Sequence, residues 1–167
     1  MVLTKTELIQ SLQNEVRILL HLSTKIERDK LDYRPTPKQR STLELLRYLS
    51  IMGPTLVQAA KAGAFDPPRW SAAKDASDAR DFDDTLTVIA AQSAEFASLI
   101  EDMSDADFRV EIEMFGRRAT RGSFLVNTVL CGYAAYRTQL FVYLKACGRV
   151  ELSTMNLWGG IDPTPSA

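Results

Sequence analysis

Apolar side chains recur at Leu8, Leu12, Val16, Leu19 and Ile26, a spacing that paints one stripe along a helix and predicts a first helix over residues 4–28. Thr4 or Thr6 can start it, and Glu7 stands three beyond Thr4 as a capping box requires. The following ERDKLDYRPTPKQRS predicts a loop, because Pro35 and Pro37 fix their own backbone and push their predecessors away from helix. Ser41 can cap a second helix beginning at Thr42, with Leu45, Leu46, Leu49, Met52, Leu56, Val57 and Ala60 on one side and Gly63 at its end. Within it, Gly53-Pro54 predicts a kink or a break. Between Ala64 and Arg80, Phe65, two adjacent prolines and Trp70 stand among small and charged residues, which predicts an ordered surface connection holding at most a short turn.

A third helix is predicted from about Asp81 to Met103, with three aspartates at its positive end and Leu86, Ile89, Phe96, Leu99, Ile100 and Met103 facing inward. The period then changes to two. Phe108, Val110, Ile112 and Met114 alternate with Arg109, Glu111 and Glu113, and Gly116 offers a turn before Arg117 to Arg121, so a small hairpin with charged, solvated edges is expected. The last helix is predicted from Ser123 to Ala146 on Leu125, Val129, Tyr133, Tyr136, Leu140 and Leu144, closed by Gly148. The tail RVELSTMNLWGGIDPTPSA is too rich in glycine, proline and polar residues for another core helix, with Leu157-Trp158 expected to anchor it. These elements add up to an all-α four-helix bundle with a small β-hairpin before the last helix. Periodicity does not say which helices are neighbours.

With 167 residues, 46% of them hydrophobic, the chain has enough apolar content for one domain with its own core, placed at about 4–150 with 151–167 as a tail. Twenty basic residues against twenty-one acidic ones leave a net charge of -1, which gives no electrostatic case for nucleic acid or an anionic membrane as partner. No run approaches the roughly 20 apolar residues that span a bilayer, and MVLTKTELIQ does not read as a secretory signal; the expectation is a cytoplasmic protein.

Histidine is the most restrictive count, because His21 is the only one. Cys131 and Cys147 are the only thiols, 16 residues apart in one predicted helix and so roughly 24 Å from each other, too far for a disulfide. Two reduced thiols are expected, Cys131 half-buried and Cys147 near the helix end, and a zinc site of three or four His/Cys ligands is not. A Ser-His-Asp or Cys-His arrangement would have to use His21 and has no nucleophile-elbow spacing. Phosphate-binding and dinucleotide-binding glycine loops are absent from the sequence.

Taken in order, LDYRPTPKQRSTLELLRYLS, FRVEIEMFGRRATR and SFLVNTVLCGYAAYRTQLFVYLKACG resemble the DinB-like (DinB/YfiT) family of bacterial four-helix proteins over roughly residues 4 to 150. The most specific pieces are the YRP loop followed by an ELLxxL helix, and the final Tyr136-Arg137-Thr138-Gln139-Leu140 with Tyr143-Leu144 and Gly148. The resemblance implies a divalent metal, often zinc or nickel, held by one histidine of the second helix and two at i and i+4 of the last, and frequently a homodimer. Here those positions are Tyr48, Gly132 and Tyr136. Glycine offers no ligand atom, and a phenol binds such ions well only after losing a proton from a group of ordinary pKa about 10. No metal and no cofactor are therefore expected.

The expectation is a non-catalytic, metal-free module for a small-molecule ligand or an interaction partner, with a remnant family pocket lined by Tyr48, Gly132, Tyr136, His21 and Arg137. Arg34 and Arg137 are expected to fix backbone carbonyls or pair with a carboxylate, and Arg137, Asn127, Gln139, His21 or water to meet the tyrosine hydroxyls. The competing reading is a metal-dependent or thiol-dependent enzyme of the transferase or hydrolase type using the same pocket, in which, without a metal, Tyr48, Tyr136 and His21 would carry acid-base work.

Overall fold

The computed structural model describes residues 3–164. The first two and last three residues of the expected domain and tail lie outside it. Four long helices carry the fold: α1 (Lys5–Ser23), α2 (Thr42–Ala62), α4 (Phe82–Ile100) and α7 (Cys131–Ala146). Each of α1 and α2 packs against both α4 and α7, which sets α1 and α2 across the diagonal of the bundle. Leu12, Val16 and Leu19 of α1, Leu45, Leu49 and Met52 of α2, Ile89 and Phe96 of α4, and Tyr133 and Leu140 of α7 form one buried core. No described helix is long and apolar enough to cross a membrane.

Helix boundaries follow local chemistry. Thr4 and Ser41 cap α1 and α2 with reciprocal boxes to Glu7 and Glu44. α1 stops at Ser23, short of the expected residue 28, where Ser23 and Thr24 hydroxyls take the carbonyls of Leu19 and His21 at 2.8 and 2.7 Å. α2 runs through Gly53-Pro54 as one helix and is not split there. The Thr55 hydroxyl donates to the Ile51 carbonyl at 2.6 Å one turn back, and α2 lies between its bundle partners α4 and α7.

Residues 64–80 depart most from the sequence expectation, since they form the helix α3 (Pro67–Asp78) rather than an irregular connection. Asp66 caps it by accepting the Arg69 amide, and the two prolines occupy the first turn, where a helix has no intrahelical donor to lose. Its small, polar sequence buries only Ser77, and the helix rests on α2.

The hairpin pairs β1 (Glu111–Met114) with β2 (Arg117–Thr120), Ile112 and Met114 buried and Glu111 and Glu113 exposed. Phe108, expected in the strand, lies in the short helix α5 (Asp105–Arg109), because Ser104 and Asp107 build a capping box just ahead of it. The two-residue turn holds Phe115 and Gly116 at φ of 55 and 70, the left-handed pair that such hairpins require. Beyond it, α6 (Arg121–Phe124) passes through one π turn at Leu125–Leu130 into α7. The wider turn is a local insertion in the last helix and stands directly ahead of Cys131 and Gly132. Cys131 is exposed rather than half-buried, and Cys147 is partly covered at the helix end.

Candidate functional site

Residues four apart on a helix share a face. α2 presents Tyr48 and Met52 in this way, and α7 presents Gly132 and Tyr136 opposite them. The Tyr48 and Tyr136 rings meet edge to face, centroids 5.1 Å apart and planes at 67°. One turn further along, Met52 packs on Gly132: a Cβ there would lie 3.3 Å from both its sulfur and its methyl. The three positions singled out by the resemblance thus adjoin one another, with Met52 as the fourth member of the contact.

Arg40 lies over this pair, an arginine that periodicity could not select because it precedes α2. Its guanidinium carbon is 3.9 Å from the Tyr48 centroid and 5.9 Å from that of Tyr136. The backbone holds it there, since the Arg40 carbonyl accepts the Tyr143 hydroxyl of α7 at 3.0 Å, and Tyr143 packs on Tyr33 of the YRP loop. Arg34 of the same loop bonds the Gln39 carbonyl and Glu44. Trp70 of α3 also meets Tyr48, edge to face with centroids 5.9 Å apart. Burial, and then the neighbouring Tyr136 hydroxyl, push the Tyr48 phenol up to about 12, against the smaller opposing pull of the Arg40 charge.

This environment does not fit a divalent ion. Two phenols, one of them driven further from phenolate, a thioether and a stacked cation make a poor donor set for zinc or nickel. No group of three His, Cys, Asp or Glu side chains among the described residues could hold a metal.

The other two members of the expected pocket lie elsewhere. Arg137 follows Tyr136 by one residue, about 100° around a helix of 3.6 residues per turn, and bonds Glu15 of α1 at 2.7 and 3.2 Å. That ion pair is buried, and Arg137 also donates to the Leu157 carbonyl while Trp158 lies against its guanidinium. His21 is bound by the tail as well: Asn156 Nδ2 donates to its Nε2 at 3.1 Å and to Asp162 at 2.9 Å. Burial, followed by the Lys25 charge, holds the His21 imidazole below its ordinary value, with Asp162 opposing them. The tail is thus anchored by buried Asn156, by Leu152 and by backbone groups, whereas Trp158 is 70% exposed. Asn127 bonds its own helix at Ser123, and Gln139 meets the hydroxyl of Tyr143. Neither reaches Tyr48 or Tyr136.

Sequence reading also missed the polar contact at the centre of the bundle. The Tyr133 hydroxyl donates to Gln92 Oε1 at 2.7 Å, and Gln92 Nε2 donates to the Leu49 carbonyl at 3.0 Å. Gly53 makes the room, because a Cβ there would come within 2.6 Å of Phe96 and closer still to the phenol oxygen. Burial raises the Tyr133 phenol far above its ordinary range, so it stays protonated and donates.

Between α2 and α3 a cleft of about 390 Å³ opens beside Tyr48 and Trp70, with Arg40 and Arg47 on its rim. A larger one, about 700 Å³ and mainly apolar, lies at the opposite end of the bundle beside Leu8, Phe108 and Val126.

The arrangement of the four helices and hairpin is that of the DinB-like fold. A solved structure similar to the chain is that of the DinB-like protein YjoA from Bacillus subtilis, with a TM-score of 0.68 and 19% identity, covering 87% of this chain and 94% of that one. At such identity the likeness concerns the fold and carries no activity with it. No protein-family model and no curated protein matches the chain.

Proposed function

We propose that this protein is a metal-independent, non-catalytic DinB-like bundle that binds a small molecule at the α2–α3–α7 face around Tyr48. The observation that carries this reading is the Tyr48–Tyr136 pair under Arg40, with Met52 seated on Gly132. These side chains fill with rings, a thioether and a fixed cation the place where the family resemblance would put three imidazoles and an ion. The cleft against Trp70 has the volume of a small-molecule site, for which about 300–1,000 Å³ is usual. Acid-base catalysis at neutral pH is disfavoured by a Tyr48 phenol pushed up to about 12, since efficient proton transfer needs a pKa near the working pH. His21, the remaining acid-base candidate, is engaged with the tail.

The test is elemental analysis of protein purified without an affinity tag or chelator, repeated after incubation with zinc and with nickel and exhaustive dialysis. The reading expects far less than one equivalent of either ion. One retained equivalent, lost when Tyr48 and Tyr136 are both changed to Phe, overturns it.

A further inference from the structure

The cleft beside Tyr48 carries an unequal set of charges. Arg40, Arg47 and Lys74 line it together with Glu44 and Asp78. Both carboxylates already have partners: Asp78 is paired with Lys74 on α3, and Glu44 accepts the Ser41 amide at 2.7 Å and Arg34 at 3.2 Å. Arg47 spends two of its N–H groups on the Arg80 carbonyl. Arg40 is different, for among the described residues no carboxylate lies within 4 Å of its guanidinium and no acceptor takes its N–H groups.

The Arg40 guanidinium carbon stands 3.9 Å from the centroid of the Tyr48 ring, within cation–π range, and this exposed arginine lines the cleft with no protein acceptor on its N–H groups among the described residues. A planar guanidinium matches the two oxygens of a carboxylate, a bidentate geometry that the point charge of a lysine does not offer. The wall beyond it is aromatic, formed by Tyr48 and by Trp70, itself wedged between Tyr48 and Phe65. Ile51 supplies an apolar floor.

We infer that the cleft takes a small aromatic carboxylate, its carboxylate on Arg40 and its ring against Trp70. The inference rests on the pocket reading above and adds to it the chemistry of the ligand. An oxyanion without a ring would leave the aromatic wall uncovered, and a neutral ring would bring no charged acceptor to the Arg40 guanidinium.

Trp70 and Trp158 are the only tryptophans, so Trp158→Phe leaves Trp70 as the sole indole reporter, in the wall of the cleft itself. In that background, 2-naphthoate, 2-naphthamide and acetate are titrated by fluorescence and by calorimetry, with and without Arg40→Gln, and circular dichroism verifies that each variant is folded. The expected result is saturable binding of one 2-naphthoate, about tenfold or more weaker for both 2-naphthamide and acetate, and weakened to the level of the amide by Arg40→Gln. Absence of saturable 2-naphthoate binding, equal affinity for the amide, or an unchanged affinity in folded Arg40→Gln overturns the inference. Equal binding of acid and amide rejects the carboxylate and leaves the pocket standing, whereas a retained equivalent of zinc or nickel rejects the pocket reading itself.

Discussion

Met52 occupies the space into which any side chain at residue 132 would grow, its sulfur and methyl each 3.3 Å from where a Cβ of Gly132 would stand. The neighbour here is the flexible end of an unbranched side chain, which can give by a few tenths of an ångström. Gly53, on the same helix as Met52, faces the opposite situation, because its Cβ would press on the buried ring of Phe96 and on the phenol of Tyr133. Gly132→Ala is therefore expected to be neutral or to stabilise by up to about 1 kcal/mol through helix propensity, whereas Gly53→Ala should cost about 2–3 kcal/mol by overpacking. Urea unfolding of the two variants checks the contrast, and an equal effect at both sites would show that the two contacts do not differ as described.

The Arg137–Glu15 pair ties α7 to α1 with both side chains largely out of water. Arg137→Met leaves the Glu15 carboxylate buried without its partner and removes a donor from the Leu157 carbonyl, for an expected loss of about 3–5 kcal/mol. Replacing both, as Arg137→Met with Glu15→Leu, should recover a substantial part of that loss, since the uncompensated charge is gone. A double-mutant cycle measured by chemical denaturation decides it; a double variant no more stable than Arg137→Met would mean that the tail contact dominates.

Because His21 is the only histidine, its imidazole resonance can be followed without assignment ambiguity. Folded His21 is held below the ordinary 6.5 by burial and by Lys25, with Arg17 adding to them and Asp162 opposing. The folded chain therefore binds fewer protons than the unfolded chain between its own lowered value and about 6.5, so stability rises with pH across that window. The stabilisation is present above 6.5 and is lost as pH falls to the folded value, where a proton on Nε2 also displaces the Asn156 hydrogen bond. A proton NMR titration should give an apparent value under 6.5, returning towards it when Asn156→Ala loosens the tail. A value at or above 6.5 in the intact protein would refute the described environment.

The four long helices and the hairpin were legible because each buries one stripe, and a stripe repeats at the period of its own backbone. Thr4-Glu7 and Ser41-Glu44 were legible for a related reason, as a cap is a contact three residues long. α3 was not, because a helix that buries only Ser77 leaves almost no hydrophobic period and its two prolines read as breakers until their place in the first turn is known. Gly53-Pro54 allowed a split that α2 does not show, for the proline signal is local and the packing of α2 between α4 and α7 is not.

Of the candidate site, the adjacency of Tyr48, Gly132 and Tyr136 followed from the family resemblance. Met52 and Arg40, which complete it, were visible in the sequence only as a core methionine and a loop arginine. Arg137 was legible as an arginine paired with a carboxylate, and its partner Glu15 was not, being 122 residues away in the chain.

The sequence by itself determined the four long helices, the hairpin, the single imidazole and the substitution of tyrosines and a glycine at the resembling positions, all of them properties of residues or of short repeats. The tertiary structure alone decided that α1 and α2 lie across the diagonal, that His21 and Arg137 face the tail, and that Arg40 lies over Tyr48. Those are contacts between distant segments, and a side chain's partner across the bundle depends on how helix faces are rotated against each other, which no periodicity within one helix encodes.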